Sequence, residues 1–275
     1  MTADGGRPGG EKIVVGVVKW GERYGPDYVN VLYRAVGDHL DRPHRFVCVT
    51  DEAEGLDHGI EVAPMPRFAT PRETWRVTNL AKVALLAPGV VAEDEVVLQI
   101  DLDVMILGEL GAFFDLYRAR PAFYTLREWN PAVIRATLPR ALWPDRGSQG
   151  SVNLYKAADQ RHLWQEFDRN THAVLARYRT DRFYYPAAAK GQAYLPYEWV
   201  QSFKNQAAWY WPLSLAFAPR PPDDARILAF HGRPRPADLL GPPGKRWGTK
   251  RKFGFEPVPW VVDYWTRYGG SLPAA

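Results

Sequence analysis

Apolar and polar positions follow two rhythms along the first half of this chain. Ile13–Val18 is an unbroken apolar, mostly β-branched run, the pattern of a strand covered on both faces. After the turn signal Gly25-Pro26, the segment from Asp27 sets Val29, Leu32, Tyr33, Val36 and Leu40 at helical spacing, with Asp27 as a candidate cap. Arg45–Thr50 reads as a second strand that closes on Asp51-Glu52. Residues 60–62 read as a third, ahead of the Pro-rich stretch Pro64–Pro71. Trp75–Leu86 has a helical pattern stopped by Pro88-Gly89. The buried-strand run Val96–Ile100 then leads straight into Asp101-Leu102-Asp103. Glu109–Arg118 is helical in pattern and Ala122–Leu126 strand-like. This alternation predicts an α/β domain with a Rossmann-like, mostly parallel, doubly wound sheet and helices on both faces. Ligands are then expected at the carboxyl ends of its strands.

The second half is less periodic. Arg127–Gln149 holds three prolines and no sustained period, as expected of a loop region over a site. Ser151–Tyr155 reads as a strand, and Ala158–Tyr178 as a long helix with Leu163, Phe167, Val174 and Tyr178 inward. Ile227–Phe230 is a short apolar run that delivers His231-Gly232. No internal repeat or second domain is evident. The expected organisation is a Gly-rich, disordered start over 1–10, one domain over 11–240, and a basic, aromatic C-terminal tail over 241–275 packed on the domain.

Composition narrows the picture. A chain of 275 residues, 46% hydrophobic and 24% charged, can bury a real core. Eleven Trp and fourteen Tyr exceed what that core requires, and such rings also serve flat sugars and bases. The single cysteine, Cys48, excludes a disulfide framework and fits a reducing compartment; with no signal-peptide pattern and no membrane-span run, a cytoplasmic setting is expected. A net charge of +4 admits an anionic ligand without arguing for nucleic acid, and no nucleic-acid partner is expected.

The sharpest chemical feature is Asp101 and Asp103. Carboxylates at i and i+2 leaving a strand point the same way, with Leu102 turned to the core. Two close carboxylates in a cleft call for a compensating cation, and hard ions such as Mn²⁺ or Mg²⁺ suit oxygen ligands shared with phosphates. Two exposed aspartates opening a loop would look identical in sequence. His231 at another strand end could be a third, imidazole ligand or a solvated turn residue. Arg233 and Arg235 could grip a diphosphate or be plain surface charges.

Taken together, Ile100-Asp101-Leu102-Asp103, the turn Gly150–Val152 and Phe230-His231-Gly232-Arg233-Pro234 resemble bacterial GT-A glycosyltransferases related to glycosyltransferase family 8. That group contains glycogenin and galactosyltransferases of lipooligosaccharide synthesis. Lys19-Trp20-Gly21, Tyr28–Tyr33 and Ser202-Phe203-Lys204 extend the likeness, which covers Val15 to about Pro236. The resemblance implies a metal-dependent transfer of sugar from a nucleotide-sugar donor, by family default a UDP-sugar, with retention. The acceptor is left open as a glycan, a lipid-linked sugar, a peptide or a small molecule. It further implies that Asp101, Asp103 and His231 hold Mn²⁺ or Mg²⁺ and that Asp101 lies near the donor ribose. Val17, Lys19 and Tyr24 would border the base. Lys82 would contact the donor; Gln149, Gly150 and Ser151 would form the turn at its sugar; Gly232, Arg233 and Arg235 would serve the phosphates. One departure stands out. Relatives carry an Asp-Gln pair after the long helix, and the match here is Gly191-Gln192. Gln192 is then a catalytic-site sugar contact without its carboxylate, for which Asp145, Asp181 and Glu198 are candidate substitutes. Related enzymes use basic, aromatic tails on anionic membranes, so peripheral membrane contact through the tail is also expected. Two other functions fit the same residues. A nucleotidyltransferase acting on sugar phosphates would use strand-end carboxylates alike, and a non-catalytic nucleotide-sugar-binding module would tolerate Gly191.

Overall fold

The computed structural model describes residues 11–68, 78–249 and 252–273. The expected disordered start at 1–10 and the Trp75–Val77 part of the expected helix lie outside them. The main sheet takes β1 (Ile13–Lys19), β2 (His44–Thr50), β3 (Glu61–Pro64), β4 (Val96–Ile100), β6 (Phe123–Arg127), β7 (Ser148–Lys156) and β8 (Gln192–Tyr194). Its order is β3-β2-β1-β4-β7-β6-β8, and β7 alone of the seven runs against the others. A second sheet orders β5 (Val104–Ile106), β10 (Ile227–Ala229) and β9 (Val200–Ser202) as β5-β10-β9. β11 (Arg246–Thr249) and β12 (Lys252–Phe255) form a hairpin.

Strand alternation divides the interior into two cores. On β1, Ile13, Val15 and Val17 face one core and Val14 and Val18 the other. The first core receives α1 (Pro26–His39), α2 (Gly111–Ala119) and the small sheet. The second receives the 3-10 helix Leu80–Leu86, α4 (Ala157–Tyr178) and α5 (Asp181–Ala188). Gly16 lets that 3-10 helix lie flat on β1, because a Cβ there would come within 2.9 Å of Leu85 Cδ2. Helices therefore cover both faces of a mostly parallel sheet, as the alternation predicts.

Several local expectations change. Asp27 does not cap α1. Gly25 holds the cap position with Pro26 at the first turn, and Asp27 instead accepts a hydrogen bond from Ser271 N at 2.9 Å. The described part of the helix expected at 75–86 is 3-10 rather than α, and all seven of its residues are buried. The region 127–149 holds the short α3 (Ala132–Thr137), which buries none of its residues. The tail folds into the hairpin and α6 (Pro259–Arg267). Trp247, Val258, Val261, Trp265 and Tyr268 enter the first core, so these rings are structural and not free to meet a membrane. Of the tail's basic run, Lys250 and Arg251 lie outside the described residues. No described helix is long and apolar enough to cross a membrane.

Candidate active site

Asp101 and Asp103 lie on the link between the two sheets. Asp101 N donates to Ser151 O at 2.9 Å, extending the β4–β7 ladder one step, while Asp103 O accepts from Phe230 N at 2.9 Å, joining the second sheet. Leu102 between them is buried in the first core, as expected. Backbone pairing thus fixes both carboxylates at the end of β4.

Lys82 reaches this link from the 3-10 helix. Its ammonium lies 2.5 Å from Asp101 Oδ1 and 2.7 Å from Asp181 Oδ2, and donates to Gly150 O at 3.4 Å. Asp181, the first residue of α5, also accepts from Asn79 Nδ2 and from Arg182 N at 2.7 Å, and its own N–H donates to Asn79 Oδ1 at 3.0 Å. Gly150 makes this approach possible, since a Cβ there would stand 2.2 Å from Asp181 Oδ2. On the other side, Tyr24 OH donates to Asp103 Oδ2 at 2.8 Å, and the Arg235 guanidinium lies over the Tyr24 ring, 5.0 Å from its centroid.

The electrostatics follow from crowding in a buried place. Asp101 and Asp181 share the Lys82 ammonium, and Asp103 beside them is held by the Tyr24 hydroxyl. Burial pushes the Asp101 carboxyl up to about 7; Lys82 opposes this, and Asp103 and Asp181 add to it. Burial also raises Asp103, against the Tyr24 hydrogen bond and Lys82. For Lys82 burial works against the charge, but Asp101 and Asp181 outweigh it and hold the proton above the ordinary lysine range. Burial, with Asp103 beside it, likewise raises the Tyr24 phenol.

His231 follows β10, and the β5–β10 register, Ala229 opposite Val104, brings its backbone beside Leu102-Asp103. Its ring is stacked on Trp129, with centroids 5.0 Å apart and planes at 16°, and its Nε2 lies 2.7 Å from Ser202 Oγ. Asp101 is engaged by Lys82, so the expected set Asp101, Asp103 and His231 is not gathered here. Among the described residues no three His, Cys, Asp or Glu side chains form a metal-ligating group.

The other expected residues divide. Lys19 is buried at the end of β1 and turned to Glu52, 3.7 Å from its carboxylate. Val17 places its side chain in the first core, so only its backbone could border a base. Gln149 accepts from Ser151 N at 2.6 Å and holds the turn beside Gly150. Gly232 has φ +82° and packs against Lys204, whose ammonium donates to His231 O. Arg233 is exposed; Arg235 caps the turn Pro236–Leu239 and donates to Arg23 O. Gln192 lies on the edge strand β8, exposed, with its amide donating to the Pro186 and Ala189 carbonyls at the end of α5. The carboxylate that the structure brings to Lys82 is Asp181, with Glu198 and Asp145 on exposed Arg140 and Arg127 instead. The Thr180-Asp181 helix start before Tyr184-Tyr185 was the available signal for it. Of the two residues that orient His231, Ser202 lies in the segment Ser202-Phe203-Lys204 that extends the family likeness, and Trp129 carried no distinct signal.

No protein-family model matches this chain, and no curated protein matches it in sequence. Solved structures do match. A galactosyltransferase, LgtC, in complex with donor and acceptor sugar analogs is 14% identical, with a TM-score of 0.53, over 95% of this chain and 97% of that one. The apo glycosyltransferase GlyE of Streptococcus pneumoniae TIGR4 is 12% identical, with a TM-score of 0.56, over 94% of this chain. The bifunctional glycosyltransferase WbbM is 10% identical with a TM-score of 0.54. The chain has the GT-A fold. It spans 62% of GlyE and 51% of WbbM, so those proteins carry regions with no counterpart here. At these identities the likeness is one of fold, and the chemistry has to come from the residues.

Proposed function

We propose that this GT-A chain is a glycosyltransferase that takes a sugar from a nucleotide-sugar donor, by family default a UDP-sugar, bound across the carboxyl ends of β1 and β4. The observation that carries the reading is the buried cluster of Lys82, Asp101, Asp103 and Asp181, with Tyr24 and Arg235 at its edge. Carboxylates crowded around one ammonium repel one another, and a divalent cation offsets that repulsion. In residue type, Asp101 and Asp103 fit Mn²⁺ or Mg²⁺, with His231 as the third candidate. Such an ion, when bound, supplies positive charge beside a diphosphate leaving group.

The protein's own contribution is positioning. Arg235 stands at the rim on Tyr24, where a guanidinium can pair with phosphate oxygens. Asp181 spends both oxygens on Lys82, Asn79 and the Arg182 backbone, so it acts as a support and not as an open base. This favours retention of configuration. The bond from sugar C1 to the diphosphate oxygen breaks, the acceptor oxygen bonds C1 from the same face, and its proton passes to the departing phosphate. An inverting path would need a free carboxylate base.

The test is incubation with Mn²⁺ and a panel of nucleotide sugars, following slow donor hydrolysis. Release of nucleotide diphosphate from one donor, abolished by EDTA, is the expected result. Pyrophosphate release from a nucleoside triphosphate and a sugar phosphate would make the chain a nucleotidyltransferase, and tight donor binding without turnover would make it a binding module.

A further inference from the structure

The segment that leaves β6 beside the cluster also floors a separate cavity. Glu128 and Asn130 line a recess of about 310 Å³, bounded by residues 140–146 and by Tyr197. Trp129, between them, is instead the ring stacked on His231. The recess adjoins Asp181 as well, because Glu128 is held at 2.9 Å by Arg182, the next residue of α5. Its volume lies at the small end of the roughly 300–1,000 Å³ usual for small-molecule sites. A compact ring fits such a space better than a length of peptide.

The polar groups of the recess are of both kinds, and two are unspent. Asn130 is 4% exposed, and its Nδ2 donates to Pro144 O at 3.4 Å, yet its Oδ1 receives no hydrogen bond. Buried acceptors left open in this way are uncommon. Tyr197 OH accepts from Asn130 N and from Gln206 Nε2, both at 3.3 Å, and its own proton has no acceptor among the described residues. The half-buried rings of Tyr197 and Trp143 meet with centroids 5.3 Å apart. Charge selects little here. Arg182 pairs with Glu128, Arg140 with Glu198, and Arg127, at 3.9 Å, with Asp145. Arg146 is left to donate to Trp129 O. A phosphate or carboxylate, which only accepts, would leave Asn130 Oδ1 unmet. A pyranose offers hydroxyls that both give and accept hydrogen bonds, and an apolar C–H face for the rings.

We propose that the recess between Asn130, Trp143 and Tyr197 binds the acceptor through a single neutral sugar ring. Asn130 and Tyr197 read its hydroxyls, and Trp143 covers its apolar face. The acceptor role rests on the proposed function; the sugar site stands without it.

The test is saturation-transfer NMR of the full chain with a panel of methyl hexopyranosides, in Mn²⁺ and UDP so that the donor end is occupied. At least one glycoside is expected to bind at millimolar concentration. Trp143→Ala is expected to weaken that binding by roughly tenfold or more, and Asn130→Leu to weaken it too. Thermal melting controls for folding. Should the buried Asn130 variant melt early, Trp143→Ala decides alone. No glycoside bound by the parent, or equal binding by the parent and Trp143→Ala, overturns the site. Glycoside displaced by UDP belongs to the donor end and overturns it as well. Binding at the recess in a protein that turns over no donor would sink the functional reading and the acceptor role, leaving the sugar site standing. Donor turnover in a protein that binds no glycoside would sink the sugar site alone.

Discussion

The cluster around Lys82 and the rim around 209–217 are opposite solutions on adjoining parts of one molecule. In the cluster, charges are buried and their partners are fixed by strand ends and helix starts. On the rim, Trp209, Trp211, Leu213, Leu215 and Phe217 are each 42–59% exposed. Burying a charge is tolerated only with compensation, whereas exposing an indole costs little until a surface is offered to it. Substitutions should therefore cost much stability in the cluster and little on the rim.

The largest effect is expected from Lys82→Met. It removes the ammonium from Asp101 and Asp181, and breaking such an arrangement from one side costs about 3–5 kcal/mol. Urea unfolding at neutral pH in EDTA would show it, and an unchanged midpoint would mean the cluster is open to water. In the parent protein the same crowding predicts a pH dependence. Because the Asp101 carboxyl is raised to about 7 in the fold, its contribution is fully present below its ordinary range near 3.8 and is lost as pH rises through 7. Thermal melts in EDTA should drop across that window, and added Mn²⁺ should flatten the drop if the cluster takes the ion.

Gly150→Ala comes next. Its methyl would meet the Asp181 carboxylate at 2.2 Å, and overpacking of this kind costs roughly 1–3 kcal/mol. Donor turnover should disappear along with the displaced Asp181. Survival of both would show that β7 and α5 can separate freely, and the contrast with the rim would blur.

The smallest effects sharpen the comparison. Trp211→Ser should cost no more than about 1 kcal/mol, since the side chain is 53% exposed. Gln192→Ala should do the same and also leave donor hydrolysis near the parent rate, because its amide serves the end of α5. A large loss of turnover with an unchanged melt would return Gln192 to the site and weaken the case for Asp181.

Much of the fold was legible because it is periodic. Residues in β1, α1, β2, β4 and the core face of α4 announce themselves through spacings of two or of three to four residues, and these are local. The same locality made Asp101-Leu102-Asp103 visible, since a strand fixes what lies just beyond its end. The pairing of Lys82 with Asp181 across 99 residues was not legible. It depends on α5 returning to β7 at Gly150, and no spacing within either segment encodes that meeting. His231 shows the division within one residue. Sequence determined that a histidine follows a short apolar strand, while Trp129 and Ser202, brought from 102 and 29 positions away (231 minus 129 and 231 minus 202), decided where its ring points. A side chain's direction is set by the atoms that pack on it, and these come together only when distant segments have folded.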